Sequence, residues 1–133
     1  MKLTVDTNVV LRYLLDDDEN QGAVARKAMQ TATRIVIPLP VLCETVWTLS
    51  RGYKMNNIDI ANALKLLIGA ETVKVDRPAV DAGLQMLQTG GDFAGGVIAY
   101  NGHSLGGEVF TSFDKKAITR LKNLGIIKTR LLS

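Results

Sequence analysis

Cysteine is nearly absent from this sequence: Cys43 is the only one in 133 residues. That excludes an internal disulfide and fits a reducing compartment. Histidine is equally scarce, with His103 alone, and nothing in the sequence ties it to Cys43, so a Cys/His nucleophile has no support. Cys43 reads as a small buried core residue, and His103 as a residue at a helix end. No apolar run approaches the length of a membrane span. The N-terminus also lacks the charged, apolar and small-residue sections of a signal peptide. These absences place the chain in the cytoplasm, away from membranes. There is no internal repeat, low-complexity tract or linker, and 133 residues suffice to bury a core, so residues 1–133 are expected to form one domain.

The residues present are those of an ordinary globular protein, with 47% hydrophobic and 22% charged. Net charge is +3, compatible with a nucleic-acid partner without establishing one. Its distribution is uneven. Asp16, Asp17, Asp18 and Glu19 concentrate negative charge early, whereas Lys115, Lys116, Arg120, Lys122, Lys128 and Arg130 crowd the last 19 residues. The basic end reads either as a solvated helix face or as a surface for a polyanion.

Periodicity and breakers divide the chain into alternating strands and helices. A strand from Lys2 runs up to Asp6, and a helix through Val9 to Leu15 follows. Gln21 to Ala32 reads as a second helix with Ala23, Val24, Ala28 and Met29 inward. Arg34 to Ile37 is a short strand ended by Pro38. Pro40 opens a third helix that runs to about Arg51, with Leu42, Val46 and Leu49 on one face. Asn56 and Asn57 cap a fourth, Ile58 to Ile68, whose apolar stripe is Ile60, Ala61, Leu64, Leu67 and Ile68. Thr72 to Val75 is a strand and Arg77 to Thr89 a helix. After the Gly90-Gly91 break, Asp92 is the natural N-cap of a helix with Val97, Ile98 and Ala99 inward, ending near Asn101 or Gly102. Glu108 to Thr111 is a strand, Lys115 to Leu124 a helix stopped by Gly125, and Ile126 to Lys128 a fifth strand. Strands separated by helices imply right-handed crossovers, hence an α/β fold with a parallel sheet of about five strands and helices on both faces.

Acidic residues stand at telling places in this arrangement. Asp6 lies at the C-terminal end of the first strand, where parallel α/β sheets bind ligands. On that segment alone, Asp6-Thr7-Asn8 reads more simply as a helix cap. Glu44 falls on the apolar stretch Pro40 to Trp47, where a charge is costly unless paired or bound to a cation. Asp92 opens a helix, and Asp114 closes the strand that ends Thr111-Ser112-Phe113. Trp47 and Tyr13 could stack on a base, although aromatics at helical spacing are more often core or interface.

The order and spacing of Asp6-Thr7-Asn8, Glu44, Asp92 to Ala99 and Ser112-Phe113-Asp114, spread from Leu3 to Leu121, resemble the PIN-domain family, and within it the VapC-type toxins of bacterial toxin–antitoxin pairs. The resemblance implies a single PIN-like (Rossmann-like) domain and a metal-dependent endoribonuclease using Mg²⁺ or Mn²⁺. By matching position, Asp6, Glu44 and Asp114 are the implied metal ligands, while Asn8 and Ser112 would orient ligands or waters. Gathered carboxylates repel unless a hard cation joins them, so the chemistry agrees with the resemblance. At one position the chain departs from the pattern: the family usually has an aspartate of the acidic set where this chain has Gly95. The departure bears on activity and not on the fold. Asp92, three residues earlier and on the same helical face, is a partial substitute or a plain N-cap. The resemblance further implies a homodimer, an RNA substrate and a cognate antitoxin, with the apolar residues between Val41 and Leu67 as the candidate surface. A PIN-like module that binds antitoxin or RNA without cutting is one alternative. A phospho-receiver domain is a weaker one, because Asp76 follows the third strand but the first strand ends in one acid and not a pair.

Overall fold

In the computed structural model, which describes residues 1–133, strand β1 (Lys2–Thr4) leads into helix α1 (Thr7–Leu14) and helix α2 (Glu19–Thr31). Strand β2 (Arg34–Val36) follows, then α3 (Leu39–Trp47), α4 (Asn57–Ile68) and strand β3 (Val73–Lys74). The chain continues with α5 (Arg77–Gln88), α6 (Phe93–Ser104), β4 (Val109–Ser112), α7 (Lys115–Leu124) and β5 (Lys128–Leu131). It gathers into two compact units, residues 1–75 and 76–133. The class is the expected one: seven α-helices and parallel strands. The five strands are hydrogen-bonded as a three-stranded and a two-stranded sheet. No helix is long and apolar enough to cross a membrane.

In the first unit, β2 is central. Leu3 pairs with Ile35 and Ile35 with Val73, giving the order β1-β2-β3. Parallel neighbours need a crossover, which α1 and α2 supply between β1 and β2, and α3 and α4 between β2 and β3. The apolar stripe of α4 is buried as its spacing requires: Ile60, Ala61, Leu64, Leu67 and Ile68 are all inside. Each large side chain so buried contributes roughly 1.5–3 kcal/mol, far more than the helix propensities of the same residues. α2 differs from expectation. Gly22, Ala25 and Met29 face inward, whereas Ala23, Val24 and Ala28 are exposed. The helix also starts two residues earlier than composition suggested, with Asp18 as its cap, accepting from Gln21 N at 2.9 Å.

α3 starts at Pro38, with Pro40 in its first turn, where a missing N–H leaves no bond unmade. It does not continue as an α-helix to Arg51. Thr48–Gly52 form a π-helical turn, closed by Tyr53 N donating to Thr48 O at 3.2 Å. Lys54 then adopts a left-handed conformation at φ 55°. This exit carries Tyr53 to Arg12 and Asp17. Arg12 Nη1 donates to Asp17 at 2.8 Å, Arg12 Nη2 to the Tyr53 hydroxyl at 3.1 Å, and that hydroxyl to the other Asp17 oxygen at 2.9 Å. The Tyr53 hydrogen bond, ahead of the Asp17 charge, holds the Arg12 guanidinium protonated even more firmly than usual. A closed three-membered network thus ties the loop after α1 to the end of α3.

In the second unit, β4 and β5 pair in parallel from Val109 opposite Lys128 to Ser112 opposite Leu131, with α7 as the crossover. β5 begins later than Ile126. Gly125, left-handed at φ 68°, caps α7 through bonds from its N–H to Leu121 O and Lys122 O. Ile126 and Ile127 then pack on Met86, Ala99 and Leu121. Apolar burial takes those two isoleucines before the strand ladder starts. In α6, Val97 and Ala99 are buried, but Ile98 is exposed, contrary to its inward assignment.

Candidate functional site

Each aspartate singled out from sequence stands at a helix start. Asp6 follows β1 and caps α1, its Oδ1 accepting from Val9 N at 3.1 Å. A helix leaves its first four N–H groups without internal partners, and an aspartate there satisfies one of them. The cap uses one oxygen, and Oδ2 keeps none of its capacity tied down by the protein. Thr7, next in the chain, donates its hydroxyl to Glu44 Oε1 on α3. That bond links positions 37 residues apart, so within the first unit the Asp6-Thr7 turn and Glu44 come together. Asn8 is exposed in the first turn of α1.

Glu44 itself requires a correction. The expectation of a charge set in an apolar environment fails, because Leu42, Thr45 and Val46 take the buried face of α3 and Glu44 is exposed. The Thr7 hydroxyl fixes one of its oxygens. Thr7 is the contributor that residue-by-residue reading passed over. A hydroxyl beside a strand-end aspartate is a signal only once α1 and α3 are known to be neighbours. Cys43, expected in the core, is half-buried, and Trp47 is 63% exposed. His103 lies exposed in the last turn of α6, as a helix-end residue should.

In the second unit, Asp92 caps α6, its Oδ1 accepting from Ala94 N at 3.2 Å. Gly95 is the third residue of that helix. A Cβ added to it would meet only Met86 Cε, at 3.4 Å, an ordinary contact. Asp114 caps α7 with a single oxygen that accepts from Lys116 N at 3.0 Å and Ala117 N at 3.1 Å. Ser112, at the end of β4, receives the Asp114 N–H on its hydroxyl at 2.9 Å and so fixes the turn that presents the carboxylate. Asp76, after β3, is likewise a cap, for α5.

Neither unit gathers three acidic, histidine or cysteine side chains into a metal-holding group. The donors nonetheless suit a hard divalent ion. Asp6, Glu44 and Asp114 are exposed carboxylates that take no part in an ion pair, and each has one oxygen outside the bonds just described. Mg²⁺ and Mn²⁺ prefer such oxygen ligands and retain waters beside them. Gly95 supplies nothing to this set.

A search of curated proteins finds no match to the chain. The PIN domain family matches residues 3–123, a span that begins in β1, ends within α7 and includes Asp6, Glu44, Asp92, Gly95 and Asp114. Over that length the chain belongs to the PIN domain family, whose members are generally nucleases that work with divalent metal ions.

Proposed function

We propose that the chain is a metal-dependent endoribonuclease, the toxin of a type II toxin–antitoxin pair of the VapC type, impaired in its present form by Gly95. The observation that carries this reading is the family match over residues 3–123, within which two strand-end aspartates each cap a helix with one oxygen. Asp6, Glu44 and Asp114 are the ligands for Mg²⁺ or Mn²⁺. When bound, the ion supplies an acidified water and neutralises charge on the phosphoryl oxygens. The chain's own residues do the positioning. Thr7 restrains Glu44, Ser112 sets the Asp114 turn, and the helix caps aim both aspartates. Asn8 would orient a water, and Asp92 serves first as a cap. The substrate is RNA in the cytoplasm, the cognate antitoxin covers the site, and the toxin acts as a homodimer.

Of the apolar residues between Val41 and Leu67, the large ones left exposed, Trp47, Tyr53, Ile58 and Leu66, are the candidates for the dimer surface. The receiver alternative has no remaining support once the family is PIN. The non-cutting module keeps one observation in its favour, Gly95 itself. A paired assay separates the two. Gly95→Asp is expected to raise Mg²⁺- or Mn²⁺-dependent RNA cleavage by about 10- to 100-fold, the usual worth of one ligand or ligand-orienting group. Adding Asp6→Ala should abolish the gain. Equal cleavage by Gly95→Asp and the parent at matched metal concentration would favour the non-catalytic module.

A further inference from the structure

The cations of the second unit have an order that charge counting does not reveal. No acidic residue follows Asp114, and Lys115, Lys116, Arg120, Lys122, Lys128 and Arg130 all lack an ion-pair partner; the cations that do pair are Arg12, Arg26 and Arg77. Five of the six are exposed. Arg120 is half-buried and seated. Its Nε donates to Thr89 O at 3.4 Å, and its stem lies against Gly91, where an added Cβ would fall 2.7 Å from Arg120 Cδ. Its Nη2 is 3.5 Å from the Cβ position of Gly90, whose φ of 88° suits glycine. The guanidinium therefore lies along the Thr89 to Gly91 turn, directly before the Asp92 cap. Lys116, one helical turn earlier on the same face of α7, stands beside the Asp114 cap.

We propose that Arg120, with Lys116, is a phosphate-positioning pair for single-stranded RNA, forming a cationic stripe that runs from the Asp114 turn to the Asp92 turn. A guanidinium presents planar donors that match phosphate oxygens, and its weak hydration makes it the better of the two cations for that contact. Seating it on a glycine turn removes rotamer freedom before substrate arrives, so less ordering is needed at binding. The two residues position and do not react. The inference rests on the nuclease reading only for its choice of RNA.

The test is binding without cleavage. A labelled single-stranded RNA 12-mer is titrated with the full chain in chelator over a series of salt concentrations. Each phosphate contact on a single strand contributes about 0.7 to the slope of log K against log salt. Lys116→Met with Arg120→Met keeps apolar stems and is expected to lower the slope by about 1.4. Lys128→Met with Arg130→Met should change it less, and Arg120→Lys alone should retain most of it. Thermal unfolding of every variant identifies any loss due to misfolding, which would leave the Arg120→Lys comparison as the deciding one. An unchanged slope in the Lys116/Arg120 variant, equal losses from both pairs, or no RNA binding by the parent would overturn the proposal. Cleavage by the Gly95→Asp chain tests the nuclease reading separately, since cutting can persist when this pair is irrelevant and binding can persist when cutting fails.

Discussion

Gly96 turns toward α5, where an added Cβ would fall 2.7 Å from the Ala82 carbonyl carbon and 2.9 Å from Gly83 Cα, with the Ala82 oxygen closer still. Gly95, one residue earlier and about 100° round the helix, would meet a single flexible methionine methyl at ordinary contact distance. The first turn of α6 thus has one side where glycine is demanded by backbone packing and one side where nothing demands it. On the first side, α5 contributes a matching gap: a Cβ at Gly83 would strike the Phe93 ring at 2.6 Å, so both helices are pared down where they cross. On the second side the glycine is costly, since in a helix it is roughly 1 kcal/mol worse than alanine. Packing explains Gly96 and leaves Gly95 without a structural reason.

Substitutions at three positions sharpen this contrast. Gly96→Ala is expected to have the largest effect, because the clash is with backbone and neither helix can yield locally. Overpacking of this kind costs about 1–3 kcal/mol, to be read as a lowered midpoint in chemical denaturation. A neutral result would mean that α5 and α6 separate easily and that the close approach is not a constraint. Asp114→Ala comes next, with an expected loss of about 1 kcal/mol from removing a cap that satisfies two backbone donors. Asp114→Ser should recover much of that stability while leaving the Gly95→Asp background inactive. If serine also preserved cleavage there, Asp114 would be a cap and nothing more. The smallest change is Gly95→Ala, expected to raise stability by up to about 1 kcal/mol with no gain in RNA cleavage. Destabilisation by alanine would show that the space beside Met86 is tighter than it looks, and would reopen a structural role for the glycine.

How legible these features were depends on how far along the chain their causes lie. The α4 stripe and the caps at Asp6 and Asp92 follow from residues within one or two helical turns, and they stand where the sequence put them. The buried face of α2 was not legible, since alanines stand on both sides of that helix and what it packs against decides that Ala25 is buried and Val24 exposed. β5 was placed too early because Ile126 and Ile127 look like a strand, yet they are claimed by Leu121 and Met86. At the site, Asp6 and Asp114 were readable as strand-end acids. The restraint of Glu44 by Thr7 was not, since it depends on a bond across 37 residues. Glu44 stood out for its apolar neighbours in sequence and for its place in the family pattern, yet it is exposed, and the crossing that fixes Gly96 leaves no mark beyond the dipeptide Gly95-Gly96 itself.

The π-helical turn at Thr48–Gly52 behaves like an insertion that was kept. An α-helix advances about 100° per residue, so absorbing one additional residue in that turn rotates everything beyond it by about that angle. With that rotation Tyr53 reaches Arg12 and Asp17. A chain shortened by one residue here could repair the helix geometry, but its tyrosine would swing away from the network and leave Asp17 to Arg12 alone. Length in this segment is therefore under tighter constraint than residue identity. Relatives are expected to vary freely in side chain at positions 50 to 52 and hardly at all in the number of residues between Trp47 and Tyr53.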